Sequence, residues 1–141
     1  MTARTTRNEA WGWFEHPLTA AETGEKGELV CLDTSTGLLA MGAAGSATLR
    51  PLGVLDNGDG ITTGDGTTNV RIRLFKEKRL WWFDNDTGGT PVVAADIGSD
   101  CYVFDKRTVT GDSVGNSVAG KVWALNTLYG VLIEGVGSDA G

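Results

Sequence analysis

Residues 69–75 read Asn-Val-Arg-Ile-Arg-Leu-Phe, and their alternation decides the fold class. In an extended chain Val70, Ile72 and Leu74 face one side and Arg71 and Arg73 the other, the period-2 signature of a half-buried strand. The same kind of short run recurs on both sides of it. Candidate strands are 28–33, 37–42, 48–55 and 69–75, then 79–84, 91–95, 100–105, 117–124 and 128–134. The links between them carry turn chemistry. Asp33-Thr34-Ser35-Thr36-Gly37 reads as a hairpin turn, and Asn85-Asp86-Thr87-Gly88-Gly89 supplies residues that tolerate positive φ. Glycine occurs 21 times in 141 residues, without a three-residue period, and falls between the apolar runs. That excludes collagen and suits tight turns between many short strands. No long stretch shows a helical period. The expectation is an all-β, small single-domain β-barrel or β-sandwich with one short helix at most.

A chain of this length fits one domain, and its size suggests one core rather than two. Three segments suggest themselves: an extended N-terminal arm at 1–26, a β-rich body at 27–135 and a flexible C-terminal tail at 136–141. Within the arm, residues 18–26 suit a short helical turn or a loop. The stretch 56–69, with two Asp-Gly pairs and Ile61 as its one large apolar residue before Val70, reads as an exposed loop.

The formal charge is −6, with a pI near 4.6. Nucleic-acid binding starts from a basic face, so nucleic acid is not an expected partner. The densest basic run, Arg71, Arg73, Lys76, Lys78 and Arg79, is broken by Glu77 and reads as a solvated strand face or a rim facing an acidic partner. No run approaches the ~18–20 apolar residues of a membrane helix, so no membrane partner is expected. Cys31 and Cys101 lie far apart, and the opening MTARTTRNEA is polar rather than a signal segment. Two reduced core cysteines, in a protein made in a cytoplasm, are the expectation.

Catalytic constellations are not apparent. The single histidine, His16, precedes Pro17, with no nucleophile elbow and no orienting third group in view. Asp33, Asp56, Asp59, Asp65, Asp84, Asp86 and Asp112 sit in or beside turns, where Asp bonds its own backbone. A carboxylate hydrolase has nothing else to rest on. The loop from Asp56 fails the EF-hand pattern, with Gly58 and Gly60 at the third and fifth positions and Thr67 at the twelfth. An irregular calcium site at Asp56, Asp59 and Asp65 is the only metal reading, and it is not adopted. Zinc lacks its Cys/His cluster, and the glycines of 56–66 lack a P-loop's Lys-Ser/Thr ending. The expectation is therefore no enzyme, no cofactor and no metal.

Aromatic residues remain. Five tryptophans are many for this length, and four fall in two pairs. Adjacent Trp81 and Trp82 must point to opposite faces of a strand, so one enters the core and the other meets a partner or solvent. Trp11, Trp13, Phe14, Trp81, Trp82 and Phe83 are the contact candidates, with either a folded-back arm or a neighbouring subunit covering the exposed aromatics. A second reading makes the chain a carbohydrate-binding module, stacking sugars on Trp81 or Trp82, Trp123, Tyr102 and Tyr129.

The body resembles the decoration, or cement, proteins of tailed-bacteriophage heads. The likeness lies in Gly-Glu-Leu-Val at 27–30, in the run Pro91-Val92-Val93-Ala94-Ala95-Asp96-Ile97-Gly98 with Cys101-Tyr102-Val103, and in Gly120-Lys121-Val122-Trp123-Ala124 and Gly130-Val131-Leu132-Ile133-Glu134. It spans roughly residues 27–135 as a pattern of strands and turns. It implies a β-barrel-like or sandwich body on the outer capsid surface of the virion, bound to the major capsid protein, commonly as a homotrimer at threefold positions. It also implies an N-terminal arm that reaches a neighbour or the shell, and it carries no catalytic residues. Here residues 1–26 are longer and more aromatic than such proteins show.

Overall fold

A computed structural model describes residues 13–46, 48–76 and 80–136. In chain order the strands are β1 (Trp13–Pro17), β2 (Thr23–Gly24), β3 (Leu29–Asp33), β4 (Leu38–Met41), β5 (Leu49–Leu55) and β6 (Thr62–Thr63), then β7 (Asn69–Leu74), β8 (Leu80–Asn85), β9 (Asp100–Val103), β10 (Thr108–Thr110), β11 (Val118–Asn126) and β12 (Gly130–Gly135). One 3-10 turn, Ala94–Asp96, is the helical element among them. The fold is all-β, as the alternation implies.

Val70 and Ile72 are buried on β7 while Arg71 and Arg73 face outward, half-buried. Strand β7 sits inside an antiparallel sheet of order β1-β7-β5-β3-β4. The two outer strands curl towards each other. Leu18, just past β1, bridges Leu39 of β4, and the Thr19 amide donates to the Leu39 carbonyl at 2.9 Å. The remaining long strands form a closed barrel of order β10-β8-β12-β11-β9, in which the β10–β8 pair is parallel. Closure removes the exposed edges that a flat sheet would present.

Two hydrophobic clusters result, which corrects the expectation of one core. Leu18, Val30, Leu39, Met41, Leu55, Val70 and Ile72 pack inside the curled sheet. Phe75, Phe83, Val103, Val109, Val122, Val131 and Ile133 fill the barrel together with Leu29, Cys31 and Val54. The reason is local. Leu29, Val30 and Cys31 are consecutive and fully buried, so β3 has a core on each face. Both cysteines are free and buried in the barrel cluster.

The described part of the segment 1–26 is joined to the body. Residues 1–12 lie outside the described residues. From residue 13 the chain pairs with β7, Phe14 opposite Ile72 and His16 opposite Val70. Leu18 is wholly buried, which stabilises the fold by about 2 kcal/mol. Residues 18–26, expected as a helical turn or loop, contain β2, which pairs with β6. That pairing also ties down the 56–69 loop. Asp65 braces the same loop, accepting from the amides of Thr67 and Thr68 and from the Thr68 hydroxyl at 2.6 Å.

The expected strand at 91–95 does not form. Pro91 has no amide to donate, and the Asn85 side chain engages both backbone groups of Val92, at 2.8 and 2.9 Å. Val92 is thereby held in the barrel core without a ladder, and the chain turns at Ala94–Asp96. Gly53 shows how closely the sheet strands approach. A Cβ there would lie 1.9 Å from the Arg73 carbonyl oxygen.

Candidate binding face

Strand β8 sorts its side chains by parity. Trp81 and Phe83 point into the barrel, while Leu80, Trp82 and Asp84 point out. Phe83 is buried in the barrel cluster, and Trp81 packs against it, with its ring 6.2 Å from that of Phe75. The Trp81 indole N–H has no hydrogen-bond partner among the described residues. Phe83 is thus closed to a partner and Trp81 is turned inward and partly buried, which sets both apart from Trp82 as contact candidates. The cause is simple: three adjacent aromatics on one strand must alternate.

Trp82 is the member of that run left outside, 43% exposed. It stands opposite Leu132 of β12, which in turn stands opposite Ala124 of β11. Between Val122 and Ala124 the β11–β12 register slips by a residue. Trp123 follows buried Val122 and faces out by plain alternation, half-exposed on the outer wall. The bulge resets the parity after it, so that Leu125 packs on the barrel core. The Trp123 indole N–H donates to Glu134 Oε1 at 3.0 Å, which fixes the ring's edge while its face stays open.

Tyr129 extends the wall from the β11–β12 turn. Its ring lies 5.6 Å from that of Trp82 at 48°, a tilted aromatic pair. The turn is set by Asn126, whose Oδ1 accepts from the amides of Leu128 and Tyr129 at 2.7 and 2.9 Å. Gly130 completes it with φ 96°, and a Cβ there would meet the Phe83 carbonyl oxygen at 2.2 Å. Leu80, Trp82, Trp123, Tyr129 and the half-buried Leu132 thus form one outward aromatic face on β8, β12 and β11.

The remaining candidates lie elsewhere. Phe14 is half-buried against the core of the curled sheet and stacks on His16 at 5.6 Å. Trp13 is placed by its backbone, opposite Arg73, and Trp11 lies outside the described residues. Of the proposed sugar platforms, Tyr102 is half-buried on β9, whereas Trp123 and Tyr129 are on the aromatic face. Trp123 lies outside by the alternation that buries Val122, whereas the bulge next to it has no marker in composition or periodicity.

The charged groups mostly serve the scaffold. Glu28, nearly buried, accepts from Arg107 Nε and from the Glu25 amide, and lies 3.7 Å from Lys106 Nζ. Arg107 also reaches Glu25 at 2.9 Å, and its pKa is raised chiefly by the hydrogen bond to Glu28. This cluster fastens the chain before β3 to the β9–β10 turn. Asp86 accepts from the Gly88 amide and the Thr110 hydroxyl, which hold its carboxyl below the usual range. His16 Nε2 lies 2.7 Å from the Gly37 carbonyl, an acceptor only, so it carries the proton and ties β1 to the β3–β4 turn. Among the described residues no three His, Cys, Asp or Glu side chains gather as metal ligands do. No described helix is long and apolar enough to cross a membrane. An exposed aromatic wall of this kind is suited to binding a partner surface. Comparison with protein-family models, with curated proteins and with solved structures gave no significant match.

Proposed function

We propose that the protein is a bacteriophage head decoration protein, which binds the major capsid protein on the outer shell surface and reinforces it. The observation that carries this reading is the gathering of Trp82, Trp123 and Tyr129 on one outer wall of the closed barrel. Exposed aromatic patches of this kind mark interaction surfaces, and buried Trp and Tyr dominate the energy of interfaces. The resemblance of residues 27–135 to cement proteins supplies the class of partner. Assembly as a homotrimer at threefold sites would strengthen each attachment through multivalency. Residues 1–14, with Trp11, Trp13 and Phe14, form a second contact to the shell or to a neighbouring subunit.

The test is co-sedimentation with phage heads stripped of the protein. Wild type should saturate at a stoichiometry that fits threefold sites. A Trp82→Ala/Trp123→Ala double variant should bind at least about 30-fold more weakly, on the ~2 kcal/mol scale of a hot-spot aromatic. Binding that is unchanged in the folded double variant removes the aromatic wall from the reading. Absence of wild-type binding removes the decoration role itself.

A further inference from the structure

At the end of the barrel that carries the β11–β12 turn, the surface is hollowed into a groove of about 930 Å³. Its apolar lining comes from Phe104, Leu125 and Leu128, and Phe104 and Leu128 are substantially exposed. Its polar lining includes Asp84, Asp105 and Asn126, and no Lys, Arg or His is among its described lining residues. The groove adjoins the aromatic wall at the β11–β12 turn, but neither Trp82 nor Trp123 is in its lining.

Some of its polar groups are already engaged. The Asn85 amide is spent on Val92, and both Asp86 oxygens accept hydrogen bonds. Three groups are left for a ligand. The Asp84 carboxylate has no hydrogen-bond donor among the described residues. Asp105 uses Oδ1 for the Arg107 amide and keeps Oδ2. Asn126 uses its oxygen for the turn and keeps its amide N–H groups as donors. Asp84 and Asp105 do not converge with a third acidic group as ligands of an ion would. Arg107 already lies close enough to Asp84 to sense its charge. Neither a metal ion nor a partner's ammonium group is therefore what the groove is shaped for.

Separated acceptors, one amide donor and apolar walls match a ligand with C–H faces and hydroxyl edges. We propose that this groove binds a neutral oligosaccharide. Ring faces pack on Phe104 and Leu128, hydroxyls donate to Asp84 and Asp105, and a ring or hydroxyl oxygen accepts from Asn126. Small-ligand sites combine an apolar lining with a few placed polar groups in this way, and the volume falls in their usual range of about 300–1,000 Å³. With three aspartates and no Lys, Arg or His in its described lining, the groove disfavours sulfated or carboxylated glycans by charge repulsion.

The test is a glycan array followed by calorimetry on the neutral oligosaccharides that bind, using the full chain. Phe104→Ala and Asp84→Asn should each weaken binding at least tenfold, while Trp123→Ala leaves it unchanged. Asp84→Asn removes no hydrogen bond within the described residues, so it separates ligand loss from misfolding. The two groove variants should still bind stripped phage heads, which keeps this outcome distinct from that of the decoration reading. Three results would overturn the proposal. They are no neutral glycan bound by wild type, binding indifferent to both groove variants, or a preference for polylysine or heparin over neutral glycans.

Discussion

Burial pushes the thiols of Cys31 and Cys101 up to about 12, desolvation being the leading cause in both. In the unfolded chain they release their protons near the ordinary thiol value of about 8.5. Between those limits the folded state holds more protons than the unfolded state, so stability falls as pH rises. The contribution is complete below about pH 8.5 and is lost progressively towards pH 12. Melting temperature followed from pH 8 to 11.5 should decline more steeply in wild type than in a Cys31→Ala/Cys101→Ala variant. Parallel curves would show that the thiols do not titrate with unfolding. At this scale the sequence was informative where a residue's chemistry leaves one comfortable place for it. Two cysteines far apart in a chain with a polar start read as core thiols, and both are buried and free. The Trp81–Trp82 pair was legible as a split between inside and outside. Which of the two faces out depends on Phe83, because Trp81 and Phe83 share a face and both enter the barrel.

Elements were legible where alternation or an apolar run met a turn signal, and illegible where side chains from elsewhere did the holding. Strand β7 announces itself through Val70, Arg71, Ile72 and Arg73. Residues 91–95 carry the same apolar character, yet the Asn85 side chain occupies the backbone groups of Val92 that a ladder would need. Strand β1 was hidden because its partner β7 is more than 50 residues away, and its aromatic content resembled a binding arm rather than a sheet edge. The outward placement of Trp123 follows from buried Val122 beside it, whereas the register slip that turns Leu125 back to the barrel core is encoded by no local pattern. The clamp before β3 is a comparable long-range device, joining Glu28 to Arg107 and Lys106. Replacing Glu28 by Gln keeps the shape and an acceptor oxygen but removes the charge that pairs with Arg107 and Lys106. Urea unfolding of Glu28→Gln should show a lower midpoint at unchanged slope, corresponding to a loss of about 1–2 kcal/mol. An unaltered midpoint would make the cluster a surface ornament without a part in joining β3 to the barrel.

At the scale of the whole molecule, the two clusters are not two independent units, because β3 and β5 belong to both. Leu29 and Cys31 face the barrel while Val30, between them, faces the curled sheet; Val54 and Leu55 divide in the same way. Phe75, at the end of β7, leaves the curled sheet and enters the barrel core, where its ring lies against the glycine of position 135. Loosening either cluster therefore strips packing from a strand that the other one needs. Chain length alone suggested a single core, and it could not reveal that one pair of strands would be shared between two. The consequence is a single cooperative transition. Ile72→Val, in the curled sheet, and Ile133→Val, in the barrel, should each cost about 1 kcal/mol. In a Trp11→Phe/Trp13→Phe background the remaining tryptophans all lie on the barrel, whereas far-ultraviolet circular dichroism reports strands of both halves. The two probes should then give coincident unfolding curves, and Ile72→Val should shift the fluorescence curve as far as the dichroism curve. A fluorescence midpoint that ignores Ile72→Val would mean that the barrel stands by itself and that the shared strands do not couple the halves.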